Sequence, residues 1–313
     1  MRLGQNCCIL NKIELMNKFI SIDPQKQSTY EIHKILLSSV APRPIALAST
    51  IDIDGNINLS PFSYFNVFSA NPPILIFSPA NRISNNTTKD TLDNVKQVKE
   101  VVINLVDFDI VEPTSLSSVE YKKNIDEFLK SGLSKINSTK IFPPRVKESP
   151  VSFECRVNDI VSLGNSGGAG NLIICEILLI HINKKYLNDK GEIDPLKLKL
   201  VARMGGNYYL KSSIENVFKI TKPVGTKAIG LDKLPKHIQN SKVLTKNQLA
   251  RLANIEKIPN DRNIRKHINE FSLEKIISSS NDHEKINLIH AKVKKFLEKN
   301  NFDKAVLTTF SIK

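Results

Sequence analysis

The sequence of 313 residues contains no tryptophan and only three methionines. It has no uninterrupted apolar stretch of about 18 residues, which argues against a membrane-spanning helix. The N-terminal segment MRLGQNCCILNKIELMNKF is too polar for the apolar region of a secretory signal, and Met16 is an alternative start to Met1. We therefore expect a soluble cytoplasmic protein that does not enter a membrane.

Cysteine is also scarce, and the four cysteines lack the spacing of zinc ligands. Two are adjacent near the N-terminus, and the other two lie in apolar, strand-like runs, where free cysteines are usually buried and reduced. Four of the six histidines lie after residue 222, without metal-ligand spacing, and we expect them at the surface. We predict no metal site. The residues concerned are Cys7, Cys8, Cys155, Cys175, His237, His267, His283 and His290.

The motifs of several large enzyme classes are missing. No G-x-G-x-x-G follows a predicted strand, which argues against a Rossmann dinucleotide site, and there is no P-loop, no G-x-S-x-G and no H-E-x-x-H. The glycine-rich segment 165–170 (NSGGAG) lacks the following helix of a phosphate-binding loop, so we interpret it as a hairpin loop. We predict no dedicated catalytic acid, base or nucleophile.

Positive charge is concentrated at the C-terminal end. Residues 222–313 carry 19 Lys and Arg against 9 Asp and Glu, within a net charge of +14 for the whole chain. Arginine, the preferred side chain for bidentate phosphate and base contacts, accounts for only nine of the 45 basic residues. We therefore do not expect a nucleic-acid partner, although a basic tail that contacts nucleic acid or membrane remains an alternative function.

Short strands separated by turns dominate the chain from residue 40. Asp54-Gly55 predicts a hairpin turn, and the absence of regular βαβ alternation favours a closed or partly closed antiparallel barrel. A helix is expected within 86–100, where Thr87 or Thr88, or Asp90, would cap its N-terminus. Helices are also expected at 124–132, 247–258 and 283–300. The predicted strands are 44–50, 58–69, 74–79, 101–107, 151–164 and 171–187.

Residues 41–91 contain the most informative motifs. They run PRPIA, ST before a D-G turn, SPFSYFN, an N-P-P break and KDT, and later come VINLV, DEF, PPRVKESPVSFEC and RMGGNYY. In this order the motifs resemble the flavin reductase-like, FMN-binding split-barrel family, in particular its flavoredoxin-type branch. The resemblance implies a six-stranded Greek-key split barrel with inserted helices. We expect an N-terminal extension at 1–29, the barrel at 30–222 and a basic, helical C-terminal extension at 223–313.

The chemistry of these residues fits a flavin. The aromatic side chains of SPFSYFN offer surface for ring packing, and its hydroxyl and amide groups suit the polar edge of the ring. Lys89 at a helix N-terminus suits a phosphate. Core packing of the aromatics and an ordinary surface lysine are the alternatives. The expected FMN-binding residues are Ser49, Thr50, Asn58, Ser60, Pro61, Phe62, Ser63, Tyr64, Phe65, Asn66, Lys89, Asp90, Thr91, Arg203 and Tyr208.

The resemblance also implies a reaction. Members of the family pair as homodimers and move a hydride from NAD(P)H to flavin, and electrons then pass to an acceptor that the sequence does not identify. The flavin carries this chemistry, which agrees with the missing acid, base and nucleophile. Two alternatives stay open: an FMN-containing electron-transfer protein that does not oxidise NAD(P)H, and a binding protein that acts through its basic tail.

Overall fold

The computed structural model describes residues 19–123, 125–223, 227–279 and 281–312. The chain divides into two compact units, Met1–Phe218 and Lys219–Lys313. Cys7, Cys8 and most of the predicted N-terminal extension lie outside the described residues. In the part of the chain that is described, no helix is both long and apolar enough to cross a membrane.

The first unit is built mainly from strands, with four α-helices among its described residues. Its helices are α1 (Thr29–Ser39), α2 (Asp90–Gln97), α3 (Val111–Leu116) and α4 (Glu127–Ser131). Its strands are β1 (Arg43–Pro44), β2 (Ala46–Ile51), β3 (Ile57–Phe62), β4 (Phe65–Ala70), β5 (Pro73–Phe77), β6 (Glu100–Leu105), β7 (Lys135–Ile136), β8 (Arg145–Val146), β9 (Val151–Ser162), β10 (Asn171–Ile182), β11 (Val201–Arg203) and β12 (Tyr209–Lys211).

Seven strands form the main antiparallel sheet, in the order β3-β2-β6-β9-β10-β5-β4. Strands β3 and β4 lie at opposite ends of this order, yet only Ser63 and Tyr64 separate them in sequence. The sheet must therefore curl until its two ends meet, which makes it a split barrel. The rings of Phe62 on β3 and Phe77 on β5 lie 5.4 Å apart across the closed interior. This sheet has one strand more than predicted, because the segment 58–69 breaks in two at Ser63.

Two hairpins of the main sheet form where the sequence predicts them. Gly55 has a φ of +85°, which the turn between β2 and β3 needs, and Asp52 accepts hydrogen bonds from the backbone of Asp54 and Asn56. Strands β9 and β10 pair along their full lengths and bury Cys155 and Cys175 as unpaired thiols. The turn and the two buried cysteines confirm the predictions.

The capping prediction for α2 was wrong. Lys89 occupies the N-cap position and makes no side-chain capping bond, while Asp90 is the first helical residue. The Thr88 hydroxyl instead donates to the carboxylate of Asp93 at 3.0 Å, and that of Thr87 donates to Asn85 at 2.8 Å. The start of α2 therefore keeps free backbone N–H groups.

The second unit is helical and has its own apolar core. Its helices are α5 (Lys236–Gln239), α6 (Lys246–Ala253), α7 (Asp261–Glu270), α8 (Glu274–Ile277), α9 (Asp282–Glu298) and α10 (Phe302–Thr309). Ile289 and Val293 on α9 are fully buried, as their helical spacing predicts. The predicted surface positions of His267 and His290 were wrong, because each is only 3% exposed. Both have hydrogen-bond partners distant in sequence, which is how a histidine is accommodated inside a core.

Candidate functional site

The helix α2 is fastened to the ends of β2 and β3 by side chains of its first two turns. Asn94 donates a hydrogen bond to the hydroxyl of Thr50 at 3.1 Å, and the Thr91 hydroxyl donates to Oδ1 of Asn58 at 2.7 Å. Thr50 and Asn58 are register partners on the paired strands. The structure therefore brings three predicted site residues together, Thr50, Asn58 and Thr91. Asp90, a fourth, precedes Thr91 in the same helix. The Thr91 hydroxyl, which the sequence suggested as a phosphate donor, donates to Asn58 in this structure.

Two cationic side chains lie at this helix start. Burial, and then the neighbouring guanidinium of Arg82, lower the pKa of Lys89. Arg82 itself pairs with Glu120 at 2.8 Å and donates to the hydroxyl of Thr87 at 3.0 Å. Together with the free N–H groups of the first helical turn, these side chains make the start of α2 a favourable place for an anion. Sequence reasoning missed Arg82, which has no motif of its own.

The segment 60–66 crosses the seam where the barrel closes. Phe62 is only 6% exposed and packs in the core, so it follows the alternative reading of the motif. Tyr64 is half-buried, and its burial raises the pKa of the phenol. Phe65 is also half-buried, whereas Asn66 is exposed. The surface that this segment offers for ring packing therefore comes from Tyr64 and Phe65.

The remaining residues of the segment differ in exposure. Ser60 and Pro61 are half-buried on β3, and they pair in register with Ala48 and Leu47 of β2. Ser49, on the same strand as those partners, is fully buried. The hydroxyl groups of Ser49 and Ser78 are buried without a hydrogen-bond partner among the described residues. Ser78, which sequence reasoning missed, follows β5, and its N–H donates to the carbonyl oxygen of Tyr64 at 2.8 Å.

A buried arginine links this segment to the distant R-M-G-G motif. Arg43, 5% exposed, donates from Nε to the hydroxyl of Ser63 at 3.3 Å and from Nη2 to the carbonyl oxygen of Met204 at 2.9 Å. It also pairs in register with Arg203, between β1 and β11. Arg43 belongs to the PRPIA motif, but sequence reasoning gave it no role. Its bonds show that motifs 160 residues apart meet at the barrel seam.

The two predicted residues of the R-M-G-G segment behave differently. Arg203 donates to the carbonyl oxygen of Gly206 at 2.8 Å and lies over the ring of Tyr209, 4.5 Å from its centroid. Tyr208 is 78% exposed. Arg203 is thus held in a local turn, whereas Tyr208 projects from it. Within the described ranges, no group of three or more His, Cys, Asp or Glu side chains is arranged to hold a metal ion.

Comparison with known proteins identifies the family. The flavin reductase like domain matches residues 37–197, just over half of the chain. A protein of Aquifex aeolicus without an assigned activity is 37% identical over 189 residues, which cover 60% of this chain and 94% of that protein.

Solved structures agree with this match. Component B of nitrilotriacetate monooxygenase from Bacillus cereus superposes with a TM-score of 0.61 at 30% identity, covering 65% of this chain and all of that one. A split-barrel protein of Shewanella frigidimarina, proposed to be a flavin reductase, gives a TM-score of 0.56 at 23% identity over 65% of this chain and all of that one. The chain belongs to the flavin reductase-like family of flavin-binding split barrels.

Proposed function

We propose that the first unit binds FMN, with the phosphate at the start of α2 and the ring system along segment 60–66. The observation that carries this proposal is the fastening of the α2 N-terminus to the ends of β2 and β3, beside the seam of the barrel. Free helical N–H groups and the ammonium of Lys89 suit a dianionic phosphate. Half-buried Tyr64 and Phe65 suit an aromatic ring system.

The residues present fit such a cofactor. Lys89 supplies a cation, and the backbone of Asp90 and Thr91 supplies N–H donors, whereas the Asp90 carboxylate opposes an anion. The hydroxyl of Ser78, whose N–H donates to Tyr64, is buried without a hydrogen-bond partner among the described residues, and such a group costs stability unless something pairs with it. A ligand rich in carbonyl, hydroxyl and phosphate oxygens offers such partners. This donor set supports the proposal of a ligand that carries phosphate and hydroxyl oxygens.

We propose further that the protein is an oxidoreductase dependent on NAD(P)H. Bound FMN would take up a hydride from the nicotinamide and pass electrons to a further acceptor. The protein's own part is to orient the ring along the seam, to hold the phosphate and to exclude water from the buried edge. None of these tasks requires a catalytic acid or base.

The absorption spectrum of the purified protein tests both steps. We expect a yellow protein, or one that binds added FMN at micromolar concentration, whose visible flavin band bleaches when NADH or NADPH is added without oxygen. A protein without FMN affinity contradicts the proposed site. Bleaching by dithionite but by neither nicotinamide supports instead an electron-transfer protein that a partner reduces.

We also propose a homodimer that works in the cytoplasm. Edge strand β4 exposes Val67 and Phe68 by 62% and 63%, and an exposed apolar edge strand favours pairing with another chain. Light scattering coupled to size-exclusion chromatography measures the mass directly, and a monomer at micromolar concentration contradicts the dimer.

The cytoplasmic location is supported by Cys155 and Cys175, which are buried and unpaired, as is usual in a reducing compartment.

A further inference from the structure

A buried carboxylate lies behind the start of α2. Glu127, the first residue of α4, is 6% exposed, and its two oxygens accept separate hydrogen bonds from β3. Oε1 accepts from Nδ2 of Asn58 at 3.1 Å, and Oε2 accepts from the N–H of Leu59 at 2.9 Å. Burial raises the pKa of Glu127, whereas these two bonds favour the ionised form. Because both oxygens face donors, the geometry is that of an ionised carboxylate.

This carboxylate fixes the orientation of the next two groups. With Nδ2 of Asn58 turned to Glu127, Oδ1 of the same amide faces the Thr91 hydroxyl at 2.7 Å. An amide oxygen only accepts, so the hydroxyl must donate to it. Thr91 is 1% exposed and belongs to the first turn of α2. The chain of bonds from Glu127 through Asn58 to Thr91 therefore ties that turn to the barrel.

We propose that Glu127 is a positioning residue for the phosphate end of the site. It does not contact the ligand; it acts through Asn58 and Thr91 to hold the N–H groups of the first α2 turn and the adjacent Lys89 in place. The inference rests on the proposed FMN site. It also changes the role expected for Thr91: its side chain holds α2 against β3, and only its backbone N–H faces the anion.

Two substitutions of Glu127 separate positioning from charge. Glu127→Gln keeps an acceptor for the Leu59 N–H, and the amide of Asn58 can turn over, so the chain of bonds survives with reversed direction. Glu127→Leu leaves the Leu59 N–H and the Asn58 amide without their partner. Positioning predicts that the leucine variant alone weakens FMN binding, by about tenfold, the equivalent of one lost charge-assisted hydrogen bond. If the charge acted only by repelling phosphate, both variants would tighten FMN binding.

The experiment compares dissociation constants for FMN and riboflavin, which lacks the phosphate, by flavin fluorescence titration. We expect Glu127→Leu to weaken FMN about tenfold and riboflavin less than threefold, and Glu127→Gln to stay within threefold of wild type for both. Glu154→Gln and Glu154→Leu are matched controls. Glu154 is also fully buried and accepts backbone N–H bonds, from Thr139 and Lys140, in the same unit. We expect them to leave the ratio of FMN to riboflavin affinity unchanged.

Each other outcome has a defined meaning. Equal losses for FMN and riboflavin in Glu127→Leu, or tighter FMN binding in both variants, overturn the positioning role while leaving the FMN site standing. A wild-type protein that binds FMN no better than buffer overturns the proposed function and this inference with it. Should Glu127→Leu fail to fold, Asn58→Ala interrupts the same chain of bonds, and an unchanged ratio of FMN to riboflavin affinity in that variant overturns the inference.

Discussion

Acidification should destabilise the second unit, because two of its histidines are held in their neutral form. The hydroxyl oxygen of Ser241 accepts the N–H groups of Val243 at 3.2 Å and Leu244 at 3.1 Å, so its hydrogen is directed to Nδ1 of His290, 2.9 Å away. His290 must then carry its proton on Nε2, which lies 3.1 Å from Nδ1 of His237. A second proton on His237 would place its Nδ1–H against the Nε2–H of His290. A second proton on His290 would direct its Nδ1–H at the Ser241 hydroxyl oxygen, which already accepts two N–H groups.

The magnitude follows from the pKa of His290. Burial, and then the neighbouring His237, lower this pKa from 6.5 to about 4. Between these two pH values the unfolded chain binds a proton that the folded unit does not bind. The contribution of His290 to the free energy of unfolding is therefore present above pH 6.5 and is lost as the pH falls toward 4. One such proton changes the free energy of unfolding by about 1.4 kcal/mol per pH unit, or about 2 kcal/mol between pH 7 and pH 5. His237, whose pKa is also lowered by burial, acts in the same direction.

The composition supplies a selective assay. All six tyrosines lie before residue 219 and the chain has no tryptophan, so tyrosine fluorescence reports on the first unit alone. Far-UV circular dichroism is weighted toward the helices of the second unit. We expect the urea midpoint of the helical signal to fall between pH 7 and pH 5, and His290→Gln to make this dependence less steep, with His237 and His267, whose pKa values are also lowered by burial, accounting for the remainder. His283→Gln, exposed on the same helix as His290, should preserve the wild-type dependence. A midpoint that does not move with pH, or a slope as steep in His290→Gln as in the wild type, refutes the reasoning.

Two further predictions concern the first unit. Lys89→Met should weaken FMN by about 1.5–3 kcal/mol and riboflavin far less, since it removes one charge-assisted bond to phosphate. Because the pKa of Lys89 is lowered by burial and only its protonated form attracts phosphate, wild-type FMN affinity should fall as the pH rises toward the ordinary range of lysine, whereas the variant should show no such fall. Equal loss for both flavins would place Lys89 elsewhere. Phe68→Lys should shift the proposed dimer toward monomer in light scattering, and an unchanged mass would show that β4 is not the interface.

Local patterns were sufficient to predict much of the fold. The Asp54-Gly55 turn, the long strands around Cys155 and Cys175 and the buried face of α9 depend on residues adjacent in the chain or one helical turn apart. The split barrel itself was predicted from ordered motifs, and the structural comparison confirms it. The extra strand was missed because the break at Ser63 carries no glycine or proline.

The errors involve partners that are distant in sequence. His290 meets Ser241 from 49 residues away, and His267 meets Thr308 from 41 residues away, so their burial has no local signature. Likewise, Glu127 is 69 residues from Asn58. The DEF motif that contains Glu127 contributed to the family resemblance, but nothing in the sequence gave Glu127 a role. The cap of α2 was mispredicted for a different reason, since the threonine hydroxyls had competing acceptors nearby in Asp93 and Asn85.

The two-residue link between β3 and β4 limits how far apart the two outermost strands of the barrel can lie. Neighbouring strands elsewhere in the sheet are held by ladders of hydrogen bonds, but its two outermost strands are joined covalently through Ser63 and Tyr64. Inserting a few flexible residues into this link would leave every ladder of hydrogen bonds intact but would allow β3 and β4 to separate. The link thus acts as a tether of fixed length, which keeps the two outermost strands adjacent where the sheet closes.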